Sequence, residues 1–253
     1  MVIFIPYINI TSRCFSFSFE PTTNISIEEN LSQSSCRVNR PNVNSSFRSQ
    51  SYSKFIELIS QKNEGGIVQS EHDFGHLNSL THNQIKEKLL PGSCKLLSVP
   101  NAGGSSLCSE ALSYEFLGRC FRAKLLMTEM EIKYFPHGGA MTDYVADIND
   151  TLLGVSVTRA MKFVGNYTEK DAQILLKKKL KGVNESTKNS STSWTKQILH
   201  IWTSSPKITD IISKVYEHDI ERTLKQNTLV LVTTTTRSDF IFQNSNNLRN
   251  LNN

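Results

Sequence analysis

Carboxylates set among apolar residues are the first candidates for chemistry in this chain. Glu110 and Glu115 lie in the segment SSLCSEALSYEFLGRCF, where Leu107, Ala111, Leu112, Tyr114, Leu117 and Phe121 wrap most of a helix. At about 100° per residue, Glu115 projects between Cys108 and Ala111, and Glu110 between Leu117 and Phe121. A carboxylate in an apolar arc is costly unless paired, metal-bound or protonated; either one at the rim of the stripe would simply be solvated. Asp143 falls in the strand-like run MTDYVADI, and Glu129 and Glu131 share one face of the preceding run LLMTEMEIKYF by the two-residue period of a strand. Carboxylates from neighbouring strands and a packed helix, converging at one edge, are the oxygen ligands of a magnesium-dependent phosphodiesterase.

Cations stand nearby. Between Lys162 and Lys188 there are seven Lys against Glu169, Asp171 and Glu185, a local +4. The run Lys177, Lys178, Lys179 sweeps about 200° of a helix, so at least one of the three turns from solvent toward a sheet beneath. Such a stretch reads either as a solvated helix face or as a phosphate-contacting one, since Lys and Arg neutralise phosphates without reading sequence; Arg159, Lys162, Lys177 and Lys179 are the nucleic-acid-binding candidates.

Other constellations carry less. His72 and His76, four apart beside Glu71 and Asp73, would suit a zinc helix, but Gly75 interrupts them. Asn101-Ala102-Gly103-Gly104-Ser105 precedes a helix and lacks the Lys-Ser/Thr ending of a nucleotide loop. His137 is a loop residue and weak candidate base. His200 alternates with Ile198 and Trp202 and reads as a core residue, and Cys108 and Cys120 read as core sulfur.

The elements that must position these groups follow from periodicity and punctuation. Ser105 or Ser106 caps the helix that carries Glu110. Three strands then follow, 125–135, 141–148 and 152–158, joined by PHGGA and NDT as a β-meander. Thr168 caps the next helix, with Glu169 and Asp171 in its first turn and Gly182 as its stop. After a polar loop at 184–193 come a strand at 197–203, a helix opening near Pro206 and a strand at 228–236, with 240–242 as its candidate continuation. The order is helix, three strands, helix, strand, helix, strand, an α/β sheet whose later strands are reached by crossovers.

That order, with a Glu on the first helix and an Asp on the second strand, resembles the PD-(D/E)XK nuclease superfamily over about residues 105–203. The resemblance implies a restriction-endonuclease-like α-β-β-β-α-β core with an extra C-terminal helix and strand. It also implies Mg2+ held by the helix Glu (Glu110 or Glu115), Asp143 and the Glu of a Glu-x-Lys on the third strand, whose Lys helps activate water. That frame falls here on Ser156-Val157-Thr158, and neither end matches. A hydroxyl lacks a carboxylate's charge and Thr158 supplies no cation. The implied replacements are Arg159 or Lys178 for the Lys, and Glu129 or Glu131 for the missing carboxylate. The phrases TEMEIKYFPHGGAMTDYVADI, LLGVSVTRAMKF and ILHIWT also resemble a group of uncharacterised eukaryotic proteins that includes a slime-mould AAC-rich-mRNA protein, for which no activity is implied. The function expected is a nucleic-acid-binding, nuclease-like domain with metal-dependent phosphodiesterase chemistry. The alternatives are an inactive protein-interaction domain on the same scaffold and an unrelated α/β enzyme.

Composition bounds the rest. The 253 residues contain 28 Lys+Arg and 23 Asp+Glu, a net charge of +5, and only 38% are hydrophobic. The dilution is local: residues 21–53 hold nine Ser and five Asn, and six of the ten residues at 244–253 are Asn. Residues 1–53 are therefore expected to be disordered, 54–91 to form a helical extension, 92–243 the compact domain and 244–253 a flexible tail. No apolar run approaches the roughly eighteen residues of a membrane span, so no membrane partner is expected. The apolar start MVIFIPYINI lacks the basic region of a secretory leader. Five Cys without paired spacing favour a reduced, intracellular setting, nucleus or cytoplasm. The oligomeric state is open.

Overall fold

A computed structural model of the chain describes residues 45–77, 82–100 and 106–243. The disorder expected for 1–44, the leader reading, the loop at 101–105 and the Asn-rich tail lie outside the described residues. The elements in chain order are α1 (Ser45–Ser60), β1 (Gly66–Glu71), α2 (His82–Lys88), α3 (Pro91–Ser98), α4 (Leu107–Phe121), β2 (Lys124–Thr128), β3 (Tyr144–Ile148), β4 (Thr151–Ala160), α5 (Glu169–Asn189), β5 (Lys196–Thr203), α6 (Pro206–Asp219), α7 (Arg222–Lys225) and β6 (Thr228–Thr234). Short 3-10 turns occupy Gly75–Leu77, Glu129–Glu131 and Asp239–Phe242.

Six strands make one mixed sheet in the order β1-β6-β5-β4-β3-β2. β2, β3 and β4 form the antiparallel meander, whereas β4, β5, β6 and β1 run parallel. From α4 to β5 the order is the α-β-β-β-α-β read from the sequence. The period of two divides each central strand between two apolar layers. Val155, Val157, Ile198, Trp202, Leu229 and Leu231 pack against α4, whose Ala111 and Leu117 are fully buried. Leu199, Ile201, Val230 and Val232 turn to the other side, against Leu176 and Leu180 of α5 and Ile212 and Val215 of α6.

Four expectations are corrected. Residues 45–53 are helical in α1, because that helix buries Phe55, Leu58 and Ile59 against the sheet. The domain does not begin at 92, since β1 pairs along its whole length with β6. The buried Lys196 ammonium also donates to the carbonyls of Gln61 (2.7 Å) and Glu64 (2.6 Å), fastening the link between α1 and β1 to β5. The expected strand at 125–135 ends at Thr128, where a capping box begins a 3-10 turn: the Thr128 hydroxyl and backbone N–H both engage Glu131 (3.1 and 2.7 Å). Glu129 and Glu131 therefore do not share a strand face. Finally, α5 runs through Gly182 to Asn189, because Val183 and Ser186 remain buried, the latter hydrogen-bonded to Thr142 at 3.0 Å. Packing outweighs the roughly 1 kcal/mol that glycine costs a helix.

Candidate metal and phosphate site

Glu110 sits in the first turn of α4 with only 4% of its surface exposed, and the Ser106 hydroxyl donates to its carboxylate. Asp143 directly precedes β3. Its N–H continues the ladder to the Val155 carbonyl (3.0 Å), and its Oδ2 accepts the Val157 N–H at 2.5 Å. The Asp143 carboxylate thus lies across the backbone of Ser156-Val157-Thr158, the frame where the superfamily resemblance expects Glu-x-Lys. Since Val157 faces α4, Ser156 and Thr158 take the α5 side by alternation; Ser156 is buried and Thr158 half-buried.

Electrostatics tie these residues to one place. Burial raises the pKa of Asp143 well above the usual range for an aspartate; the charge of Glu110 raises it further, and Glu129 adds to the effect. Burial likewise raises Glu110, opposed by the Ser106 hydrogen bond and reinforced by Glu129. The opposing positive charge comes from Lys179, which favours the ionised form of both carboxylates, and from Arg159, which does so for Glu110. Five side chains from α4, the turn after β2, the start of β3, β4 and α5 thus influence one another.

The remaining candidates are placed elsewhere. Glu115, 1% exposed, accepts the Leu90 N–H (2.8 Å), the Ser93 hydroxyl (2.6 Å) and the Arg119 guanidinium (2.5 Å). These bonds join α3 and the residue before it to α4. Glu131 pairs with Lys95 at 2.8 Å besides capping its turn, which together hold its carboxyl below the usual range. Of the three consecutive lysines, Lys177 and Lys178 are exposed and Lys179 is half-buried. Of the three, Lys179 is the one whose charge acts on Glu110 and Asp143. Lys162 pairs with Asp171 at 2.9 Å. Arg159, besides its effect on Glu110, donates to the carbonyls of Ile241 (3.4 Å) and Gln243 (2.9 Å).

Glu110 and Asp143 fit Mg2+ in donor chemistry. Both are hard oxygen ligands, their repulsion is what a divalent cation relieves, and Mg2+ commonly takes one or two carboxylates with waters and substrate phosphate completing the shell. Among the described residues, no group of three or more His, Cys, Asp or Glu is arranged to hold a metal by itself.

The histidines and the buried thiol belong to other surroundings. His200 is fully buried, with Nδ1 2.7 Å from the Ser113 hydroxyl and Nε2 2.8 Å from that of Thr233. The Tyr144 and Ser70 hydroxyls extend this chain at each end, each at 2.7 Å. Burial, with a smaller effect of His72, depresses its pKa to about 3, so it is neutral. Nothing in the sequence pattern distinguished this network from an ordinary core histidine. His72 packs edge-on against Phe74 and Phe116, outside any helix, which removes the zinc-helix geometry. His137 is exposed in its loop. Cys108 is a buried free thiol, pushed up to about 12 by burial. Among the described residues no helix is long and apolar enough to cross a membrane.

No family model matches the chain, and no solved structure matches it; the described residues form a mixed α/β fold with six strands and seven α-helices. The chain is similar to the AAC-rich mRNA clone AAC4 protein of Dictyostelium discoideum, with 41% identity over 196 residues. The similarity covers 74% of this chain and 28% of the relative's length.

Proposed function

We propose that this chain contains a nucleic-acid-binding, nuclease-like domain whose Glu110 and Asp143 take Mg2+ together with a phosphodiester. The observation supporting this reading is the half-buried Asp143 carboxylate, raised by burial and by Glu110, beside the charge of Lys179. Bound there, Mg2+ would neutralise phosphate charge and acidify a water. Glu110 and Asp143 would hold it; the Val157 N–H and the Ser106 hydroxyl orient their carboxylates. Lys179 supplies the positive charge that Thr158 lacks, from the neighbouring helix. The exposed Lys177 and Lys178 provide sequence-independent backbone attraction.

The test incubates the full chain with end-labelled single- and double-stranded oligonucleotides and Mg2+ or Mn2+, beside Asp143→Ala and Lys179→Ala. Metal-dependent cleavage lost in both variants is expected. Cleavage that survives Asp143→Ala places the chemistry elsewhere. Binding without salt sensitivity removes the nucleic-acid reading altogether. The second reading, an inactive protein-interaction domain on this scaffold, is favoured by Ser156 and Thr158 and by the lack of a three-carboxylate group among the described residues. It predicts no effect of metal on the thermal stability of the chain.

A further inference from the structure

The loop from β4 into α5, the start of α6 and the turn Asp239–Phe242 border a half-open cavity of about 370 Å3. It lies beyond the carboxyl ends of the parallel strands β4 and β5, where open α/β sheets usually receive ligands, and its size suits a small molecule. The lining includes Lys162, Lys207, Ser204 and Asp239 together with the rings of Tyr167 and Phe242. Lys162 is engaged by Asp171, whereas Lys207 is exposed and outside every ion pair among the described residues. The Tyr167 hydroxyl is buried without a hydrogen-bond partner, a group that ordinarily finds one.

Arg159 of β4 braces the turn that borders this cavity. Its guanidinium holds the carbonyls on either side of Phe242, those of Ile241 and Gln243, while its charge acts on Glu110. We infer that the cavity receives one nucleotide unit of the strand whose phosphodiester reaches Glu110 and Asp143. Lys207 and Ser204 meet its phosphate, and Phe242 and Tyr167 meet the face of its base. Phosphate beside a hydroxyl and an ammonium, with an aromatic wall for stacking, is the combination that single-stranded nucleic acid offers and uses. This inference rests on the nucleic-acid reading above and names a subsite of it.

Direct binding separates the two. The full chain, free of divalent metal, is titrated calorimetrically with adenosine and uridine 5′-monophosphates, with adenosine and with inorganic phosphate. The monophosphates are expected to bind more tightly than adenosine or phosphate. Lys207→Gln should weaken them about tenfold, the loss of one charge-assisted contact, and Phe242→Leu by a similar factor through lost stacking. Lys207 is exposed and leucine keeps most of the apolar volume at 242, so both variants should retain the fold, as circular dichroism verifies. Asp143→Asn should leave mononucleotide affinity within about twofold, a change below a single contact's worth. Failure of the monophosphates to bind, affinity unchanged in both cavity variants, or phosphate alone binding as tightly would overturn the subsite. Oligonucleotide cleavage that depends on Asp143 while mononucleotides fail to bind sinks the subsite alone. Mononucleotide binding with the expected pattern, but no Asp143-dependent cleavage, sinks only the proposed chemistry and sustains the subsite.

Discussion

At the scale of single residues, Lys179 is distinguished from its two neighbours by burial and by the charges it faces. Lys179→Ala is expected to lower metal-dependent cleavage by about a hundredfold, the order seen when one aligned electrostatic group is removed. Lys178→Ala should leave cleavage within about threefold and reduce only the salt dependence of binding. Asp143 and Glu110 make a separate, thermodynamic prediction. Their folded pKa values lie above the ordinary 3.8 and 4.5, so between the ordinary and the raised values the folded chain holds more protons than the unfolded one. Their contribution to stability is fully present below about pH 4 and is lost as pH rises through the raised values. Asp143→Asn should therefore gain in thermal stability relative to the parent as pH rises from about 4 toward neutrality, and Mg2+ should narrow that gap. A difference in melting temperature that does not change with pH would show that burial and the Glu110 charge do not raise Asp143. His200 has the opposite sign: its pKa is lowered from 6.5 to about 3, and its contribution is lost as pH falls through that window. Because both proteins share it, the difference measurement cancels it.

At the scale of elements, Glu115 and Glu110 show how one helix serves two purposes on different sides. Glu115→Ala leaves the Leu90 N–H, the Ser93 hydroxyl and Arg119 without their shared acceptor. It should cost about 3 kcal/mol in urea denaturation, the order for breaking a buried ion pair, while leaving the metal response of Asp143 intact. A loss of metal response without a loss of stability would return Glu115 to the site. The helix that carries Lys179 is set by Thr168, whose hydroxyl and backbone N–H exchange hydrogen bonds with Asp171. Thr168→Ala should cost about 1 kcal/mol. Apolar periodicity and capping residues made α4, α5 and the strand run legible in the sequence. The end of β2 was not, since TEMEIKYF alternates like a strand while the Thr128–Glu131 capping box competes locally for the same backbone. Nor was the length of α5 legible, because Gly182 signals a stop only where nothing packs beyond it.

At the scale of the whole molecule, the sheet closes with a strand from the N-terminal side of the domain. A chain cut at residue 92 loses β1 and the Phe55, Leu58 and Ile59 contacts of α1, and it bares an edge of β6. Exposed edges of apolar strands aggregate, so 92–243 alone is expected to be insoluble or poorly folded by circular dichroism and size-exclusion chromatography, and 45–243 to be soluble. A monodisperse, cooperatively melting 92–243 would show β1 to be dispensable. The +4 between Lys162 and Lys188 is partly spent within the fold: Lys162 pairs with Asp171, and Glu169 with Lys214 of α6. On the proposed nucleic-acid reading, removing the exposed Lys177 or Lys178 is expected to reduce the salt slope of binding by about one each.

The sequence by itself determined the α/β class, the α-β-β-β-α-β order and the identity of Glu110 and Asp143 as carboxylates in apolar company, because hydrophobic period and helix capping act over a few residues. It also placed Ser156 and Thr158, rather than a carboxylate and a cation, on the third strand of the meander. Only the tertiary structure decided that Glu115 is engaged by Leu90, Ser93 and Arg119, that Lys179 is half-buried while Lys177 and Lys178 are exposed, and that β1 completes the sheet. Those choices depend on how α4, α5 and the strands cross in space. Burial and charge at such crossings are set by residues far apart along the chain, and no local period records them.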